Sequence, residues 1–328
     1  QSVSERLKAI GVAYVPFPLN RTGISPLRDL HTLYYLTRKM NELKPDVVFS
    51  YTAKPVVYGS MAARIAGVRN VFSMITGLGY VFIGETWRQK VLAKILILLY
   101  KMTFKFNKQI YFHNPDDLEL FKKLNILPGG QKAVVVNGSG VNIDHFAYSK
   151  PRTDKIVFLI IARLLWDKGI GEFVSAARLL KKKYPDVSWR IVGPEYLGAT
   201  DDVRPYIADA SVYVLPSYRE GRGQSIVEAM SMGRPIITSD APGCRETVVQ
   251  GVNGFLVPVR DPEMLSIAME KFIQNTKLIT EMGIQSREIT EAQYDENKVN
   301  HIILETMGLK TLTDEQTECS WDLVSKSS

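Results

Sequence analysis

At 328 residues, with 45% hydrophobic and 23% charged, the chain has globular composition and room for two domains, which excludes wholesale disorder. Two cysteines, Cys244 and Cys319, are too few for a disulfide framework and lack metal-ligand spacing, so a reducing cytosol is expected. The net charge of +7 is uneven, with 20 Lys and Arg against 9 Asp and Glu in residues 1–150 and 21 against 25 in the rest, so the first half is expected to meet an anion, nucleic acid or membrane.

Residues 1–9 are polar and helical in character, without the charged start and apolar run of a secretory signal, so none is expected. Apolar runs bounded by turns predict strands at 12–17, 46–50, 70–74, 109–112, 133–136, 155–161, 187–192, 211–215, 235–238 and 254–257. Helical periodicity between them predicts helices at 25–43, 59–66, 86–106, 169–183 and 224–232. Ser25 is the expected N-cap of the first, with Pro26 at its first position. The most apolar run, 95–100, is six residues between Lys94 and Lys101. A spanning helix needs roughly 20, so a soluble or peripheral protein is expected. Short, almost continuously apolar strands alternating with helices imply parallel sheets covered on both faces, an α/β fold.

The polar stretch 148–154, with Pro151, predicts a border between domains 1–150 and 151–292, and the tail 311–328 is expected to be mobile. Two places look incomplete. The chain opens on a helix, where a doubly wound half usually opens on a strand and a glycine turn. The strand 187–192 runs through Gly193-Pro194 into a strand-like piece at 195–197, without the dozen or so residues of a parallel crossover. An antiparallel hairpin and an absent crossover are the two alternatives.

Chemistry concentrates in two stretches. In the first, FLIIARLLWDKG, Arg163 leaves a strand end and Lys168 closes the loop before a helix. Two cations beside a helix N-terminus form a candidate diphosphate clamp, against the plain alternative of solvated loop residues. In the second, the loop Glu220-Gly221-Arg222-Gly223 joins a strand to a helix starting at Gln224 or Ser225, followed by Ile226 and Glu228. Loop glycines permit close backbone approach, the helix start favours an anion, and a carboxylate there accepts bonds from sugar hydroxyls. The alternative is a solvated Glu228 and glycines that only turn the chain.

Together these stretches resemble the retaining glycosyltransferases of the GT-B fold, in family 4 of bacterial sugar transferases. Glu220 and Glu228 match that family's E-x7-E signature, and Arg163 and Lys168 its basic pair, with Ala162 for the usual glycine. The run from Asn137 to Asn142 is similar to its GSGVD turn, and Pro242–Glu246 and Asn253–Val257 match segments after the signature. Residues 44–80 are similar to the subgroup that extends lipid-linked sugars in capsule, O-antigen and glycoprotein pathways. Many members carry a histidine where Thr76 stands, beside Gly77, so no essential histidine is carried over. His113 is an alternative candidate against a packed or surface histidine, and Lys54 completes the acceptor-side candidates.

The resemblance implies two Rossmann-like domains facing across a cleft, with a helix at 293–310 crossing back to the first. It implies a nucleotide-sugar donor, UDP-linked, and a lipid-linked or glycan acceptor. Glu228 would hold the ribose and Glu220 the donor sugar. Gly221, Arg222, Gly223, Gln224, Ser225 and Ile226 would line the donor. No Asp-x-Asp motif is visible, since Asp201 and Asp202 are adjacent, so no metal or other cofactor is expected. The competing readings are a sugar-nucleotide epimerase of the same architecture and a sugar-nucleotide-binding module without catalysis; nucleic-acid binding finds no motif.

Finally, Lys90, Lys94, Lys101, Lys105 and Lys108 project onto one sector of a helix within 87–108, beside Leu92, Ile95, Leu96, Leu99, Met102 and Phe106. From Trp87 to Lys108 the pattern fits an interfacial helix on an anionic membrane or a core helix with one solvated edge. The lipid-linked acceptor favours the membrane, and with it a peripheral place on the inner face of the cytoplasmic membrane.

Overall fold

The computed structural model describes residues 3–19, 25–78, 82, 86–130, 132–193 and 202–309. By contacts the chain forms two units: residues 1–75, 84–111 and 121–133, and residues 76–83, 112–120 and 134–328. The contacts therefore do not divide the chain at the polar stretch 148–154. Segments 76–83, 112–120 and 134–150 group with the second half instead, because close packing rather than local polarity defines the unit.

In the first part of the chain come helices α1 (Val3–Ala9) and α2 (Pro26–Leu43), strand β1 (Val47–Tyr51), α3 (Ala53–Ile65), β2 (Asn70–Ile75), α4 (Trp87–Thr103), β3 (Gln109–Phe112), α5 (Pro115–Lys123) and β4 (Lys132–Val135). The sheet order is β1-β2-β3-β4, with β1 and β2 parallel. The strand expected at 12–17 does not form, and Val12, Tyr14, Val15 and Phe17 are exposed. Prolines at 16 and 18 cannot donate to a ladder. Their carbonyls instead accept from α2 hydroxyls, Tyr35 Oη at 3.0 Å and Thr32 Oγ1 at 2.6 Å.

Ser25 stands at the N-cap of α2 and Pro26 at its first turn, but the serine side chain makes no capping bond. The backbone N–H of Ser25 donates instead to Asp29 Oδ2 at 3.3 Å. Helix α4 starts from a capping box of Thr86 and Gln89. It ends at Thr103 and tightens into a 3₁₀ turn, Phe104–Phe106, so Lys105 and Lys108 lie beyond the ideal helix on which they were projected.

The second half continues with β5 (Val157–Ile161), α6 (Ile170–Lys181), β6 (Ser188–Val192), α7 (Arg204–Ala208), β7 (Val212–Leu215), α8 (Gln224–Ser231), β8 (Ile236–Ser239), β9 (Gly254–Val257), α9 (Pro262–Gln274), α10 (Lys277–Gln293) and α11 (Glu296–Met307). Its five strands are all parallel in the order β6-β5-β7-β8-β9. Strands β5, β7 and β8 are buried along almost their whole length, as continuous apolar runs in a doubly covered sheet should be. The strand-like piece at 195–197 and the tail 311–328 lie outside the described residues. The C-terminal helix is anchored near the 137–142 turn: Val141 N donates to Tyr294 O at 2.7 Å, and Glu296 N to Val141 O at 3.0 Å.

Candidate donor site

The sheet order decides where a ligand fits. After β5 the chain moves to β6 on one side, and the later strand β7 lies on the other. At such a reversal, connections leave the carboxyl ends of β5 and β7 in opposite directions and open a crevice. The predicted stretches occupy those two ends. Arg163 follows β5, Lys168 ends the 3₁₀ turn Trp166–Lys168 before α6, and the loop 216–223 joins β7 to α8.

An open pocket of about 320 Å³ lies there, lined by Ile161, Ala162, Arg163, Lys168, Leu215, Glu220, Arg222, Gly223, Gln224, Ser225 and Glu228. Arg163 is exposed, while the side chains of Lys168 and Glu220 are 16% and 14% exposed. Lys168 Nζ donates to Glu220 Oε1 at 2.6 Å, and fully buried Ser217 donates to the same oxygen at 2.7 Å. The loop is fixed through its backbone: Tyr218 N donates to Asp167 O at 2.8 Å, Glu220 N to Pro242 O at 2.8 Å, and Gly223 N to Gly243 O at 2.9 Å. Gln224 and Ser225 open α8, so their N–H groups have no carbonyl one turn earlier and are available to an anion. Ile226 differs from the expectation. Its side chain is fully buried in the core and its N–H donates to Gly223 O at 2.9 Å, because its turn of the helix packs inward.

Of the acceptor-side candidates, Thr76 and Gly77 pack against this loop. A Cβ on Gly221 would lie 1.6 Å from Thr76 O, so only glycine fits. His113 is 5% exposed, and burial, with the nearby Arg222 charge, pushes it down to about 4, which keeps it neutral. Lys54 belongs to the first unit, where it donates to nearly buried Asp29 at 2.9 Å. Sequence reading misses Ser217 and Tyr213. The Tyr213 hydroxyl lies 3.1 Å from Ile161 O and 2.7 Å from Ser225 Oγ, joining β5 to the start of α8. A lone strand tyrosine carries no signal of that.

Glu228 is partly buried, and burial pushes its carboxyl up to about 7, against the opposing bond from Gln224. The protonated form is thus favoured in the folded protein, and the stability this group contributes is complete below the usual 4.5 and lost as pH rises through about 7. Sugar or ribose hydroxyls donate better to the carboxylate. Were Glu228 to accept from a hydroxyl of a UDP-sugar, as the motif implies, affinity for that nucleotide sugar would rise with pH through about 7, a slope that Glu228→Gln would remove. Calorimetry between about pH 5.5 and 8 measures this, using a UDP-sugar because it lacks the terminal phosphate that titrates near 6. A flat wild-type profile would exclude Glu228 from the donor contact.

Two family models match the chain: Glycosyl transferase 4-like over residues 2–114 and Glycosyl transferases group 1 over residues 155–275. The chain belongs to this glycosyltransferase family. The N,N'-diacetylbacillosaminyl-diphospho-undecaprenol alpha-1,3-N-acetylgalactosaminyltransferase of Campylobacter jejuni is 27% identical over 90% of this enzyme and 85% of its own length. The UDP-Gal:alpha-D-GlcNAc-diphosphoundecaprenol alpha-1,3-galactosyltransferase of Escherichia coli is 27% identical over 73% of this enzyme and 69% of its own length. Among solved structures, Anabaena Alr3699/HepE in complex with UDP and glucose matches with a TM-score of 0.74 at 19% identity, covering 93% of this chain and 88% of that one. This glycosyltransferase thus has the GT-B fold, as the motifs implied, and the epimerase and non-catalytic readings fall away.

Proposed function

We propose that this glycosyltransferase moves a sugar, with retention, from a UDP-sugar to a lipid-diphosphate-linked acceptor in bacterial surface-glycan or glycoprotein synthesis. The observation that carries the reading is the gathering of Arg163, Lys168, Glu220 and Glu228 around one pocket at the start of α8. Undecaprenol-diphosphate substrates in the names of the two relatives support the acceptor class. When the donor bond breaks, charge develops on the leaving diphosphate. Arg163, Lys168 and the N–H groups of Gln224 and Ser225 would stabilise it electrostatically, and Glu220 would orient the sugar beside the developing oxocarbenium ion.

Those cations supply what a metal would otherwise supply. Transfer from a panel of UDP-sugars to an undecaprenyl-diphosphate-linked sugar should therefore survive EDTA nearly unchanged. Complete loss, restored by magnesium or manganese, would overturn the cation clamp. Absence of transfer with every UDP-sugar and lipid acceptor would overturn the substrate class.

The reading includes membrane docking through the segment 87–108. Only Gln89, Tyr100 and Thr103 of α4 are buried, whereas Trp87, Val91, Ile95, Leu98 and Met102 are exposed, flanked by exposed Lys90 and Lys94. Among the described residues no helix is long and apolar enough to cross a membrane. An exposed apolar row with basic neighbours supports lying on an anionic surface, each basic residue near it adding about 1 kcal/mol. Replacing Lys90, Lys94, Lys101 and Lys105 by Glu should abolish co-sedimentation with phosphatidylserine vesicles and leave UDP affinity intact. Vesicle binding that persists in that variant, or is missing in the wild type, would reduce the row to a solvated edge.

A further inference from the structure

Glu220 is held through its backbone as well as through its carboxyl group. The residues that hold it, Asn114 and Asp117, stand at the start of α5 and belong to the same unit as the donor loop. Asn114 is fully buried, and its Oδ1 accepts from Asp117 N at 2.7 Å, the bond of a helix N-cap. That bond fixes which way the amide lies, so Nδ2 donates to Gly221 O at 2.8 Å and to Glu220 O at 3.4 Å. Neither carbonyl has another partner among the described residues. On the other side of Glu220, the Arg219 guanidinium donates to Oδ1 of Asp117, whose side chain is fully buried. Glu220 thus stands between two residues tied to one helical turn.

A peptide group is planar, so carbonyls drawn to Asn114 turn the N–H groups of Gly221 and Arg222 the opposite way and fix the backbone from which the Glu220 side chain projects. The loop has little room to adjust: a Cβ on Gly243, at φ +77°, would lie 2.2 Å from Glu220 O. The start of α8 has its own anchor, Gly223 N to Gly243 O at 2.9 Å, and does not depend on Asn114. We infer that Asn114 is a positioning residue for sugar transfer, which aims Glu220 at the donor sugar and leaves nucleotide binding to other groups. A carboxylate that stabilises developing charge must be aimed before the charge appears, and a misplacement of about 1 Å can cost about 10²-fold in rate.

The inference rests on the proposed role of Glu220, so the test separates the two. Asn114→Ser and Asn114→Thr keep a hydroxyl that caps α5 and add no buried charge, but their shorter side chains lose the amide donors. Each is assayed for transfer from the most active UDP-sugar of the panel to an undecaprenyl-diphosphate-linked sugar, and for UDP binding by calorimetry. In each, kcat should fall about 10²-fold while UDP affinity stays within about twofold of wild type, a split that a merely structural role would not give. If one variant does not fold, the other decides the matter. A kcat within about threefold of wild type in a variant that binds UDP would overturn the inference, and so would UDP affinity lost in step with the rate in both. A wild type that transfers from none of the UDP-sugars overturns the proposed function, and this inference with it.

Discussion

Lys168→Ala should lower kcat for sugar transfer by about 10²–10³, the scale of removing one preorganised charge-stabilising donor. Lys168 lines the pocket with 16% side-chain exposure, and its Nζ and the Ser217 hydroxyl both donate to Glu220 Oε1. Its removal has two consequences with the same sign. On the proposed function, the leaving diphosphate would lose a partner in a poorly solvated place, where such an interaction is strongest. Glu220, 14% exposed, loses its counter-charge and keeps only the Ser217 bond. Lys168→Arg should recover part of the rate, because charge is restored with a different reach. Steady-state transfer and donor hydrolysis test this, with UDP affinity as a control for folding. A rate within about threefold of wild type would remove Lys168 from the reacting centre.

Arg234→Ala should lower the unfolding free energy by about 3–5 kcal/mol. Arg234 is fully buried between α8 and β8, and its partners are the Ala210 carbonyl at 3.1 Å, the Ser149 carbonyl at 2.7 Å and the Ser149 hydroxyl. Burial pulls its pKa down to about 10, so it stays charged at neutral pH. Two effects oppose each other on removal. Relief from holding a desolvated cation is stabilising. Against it stand a cavity the size of the largest fully buried side chain and two carbonyls left without donors at about 1–3 kcal/mol each. The second group wins because alanine fills none of the space. Urea denaturation measures the difference, and a loss below about 1 kcal/mol would mean that the segment around Ser149 repacks.

The sequence by itself determined the α/β class, nine of the ten expected strands and most of the residues that line the pocket at the start of α8. Period and apolar content are local properties, and a strand buried on both faces must be apolar throughout, as β5 and β7 are. Arg163, Lys168, Glu220 and Glu228 were legible because backbone turns and helix starts fix residue types at fixed spacing. Tertiary structure alone decided four other matters. It left 12–17 unpaired, since a strand exists only where a neighbour accepts its ladder and the carbonyls of Pro16 and Pro18 were taken by α2. Helix α4 was cut short at Thr103, and Ile226 was turned into the core. Lastly, Ser217 and Tyr213 were brought to Glu220 and Ser225, because burial and hydrogen-bond satisfaction are set by the packed neighbours and leave no mark in either residue's local pattern.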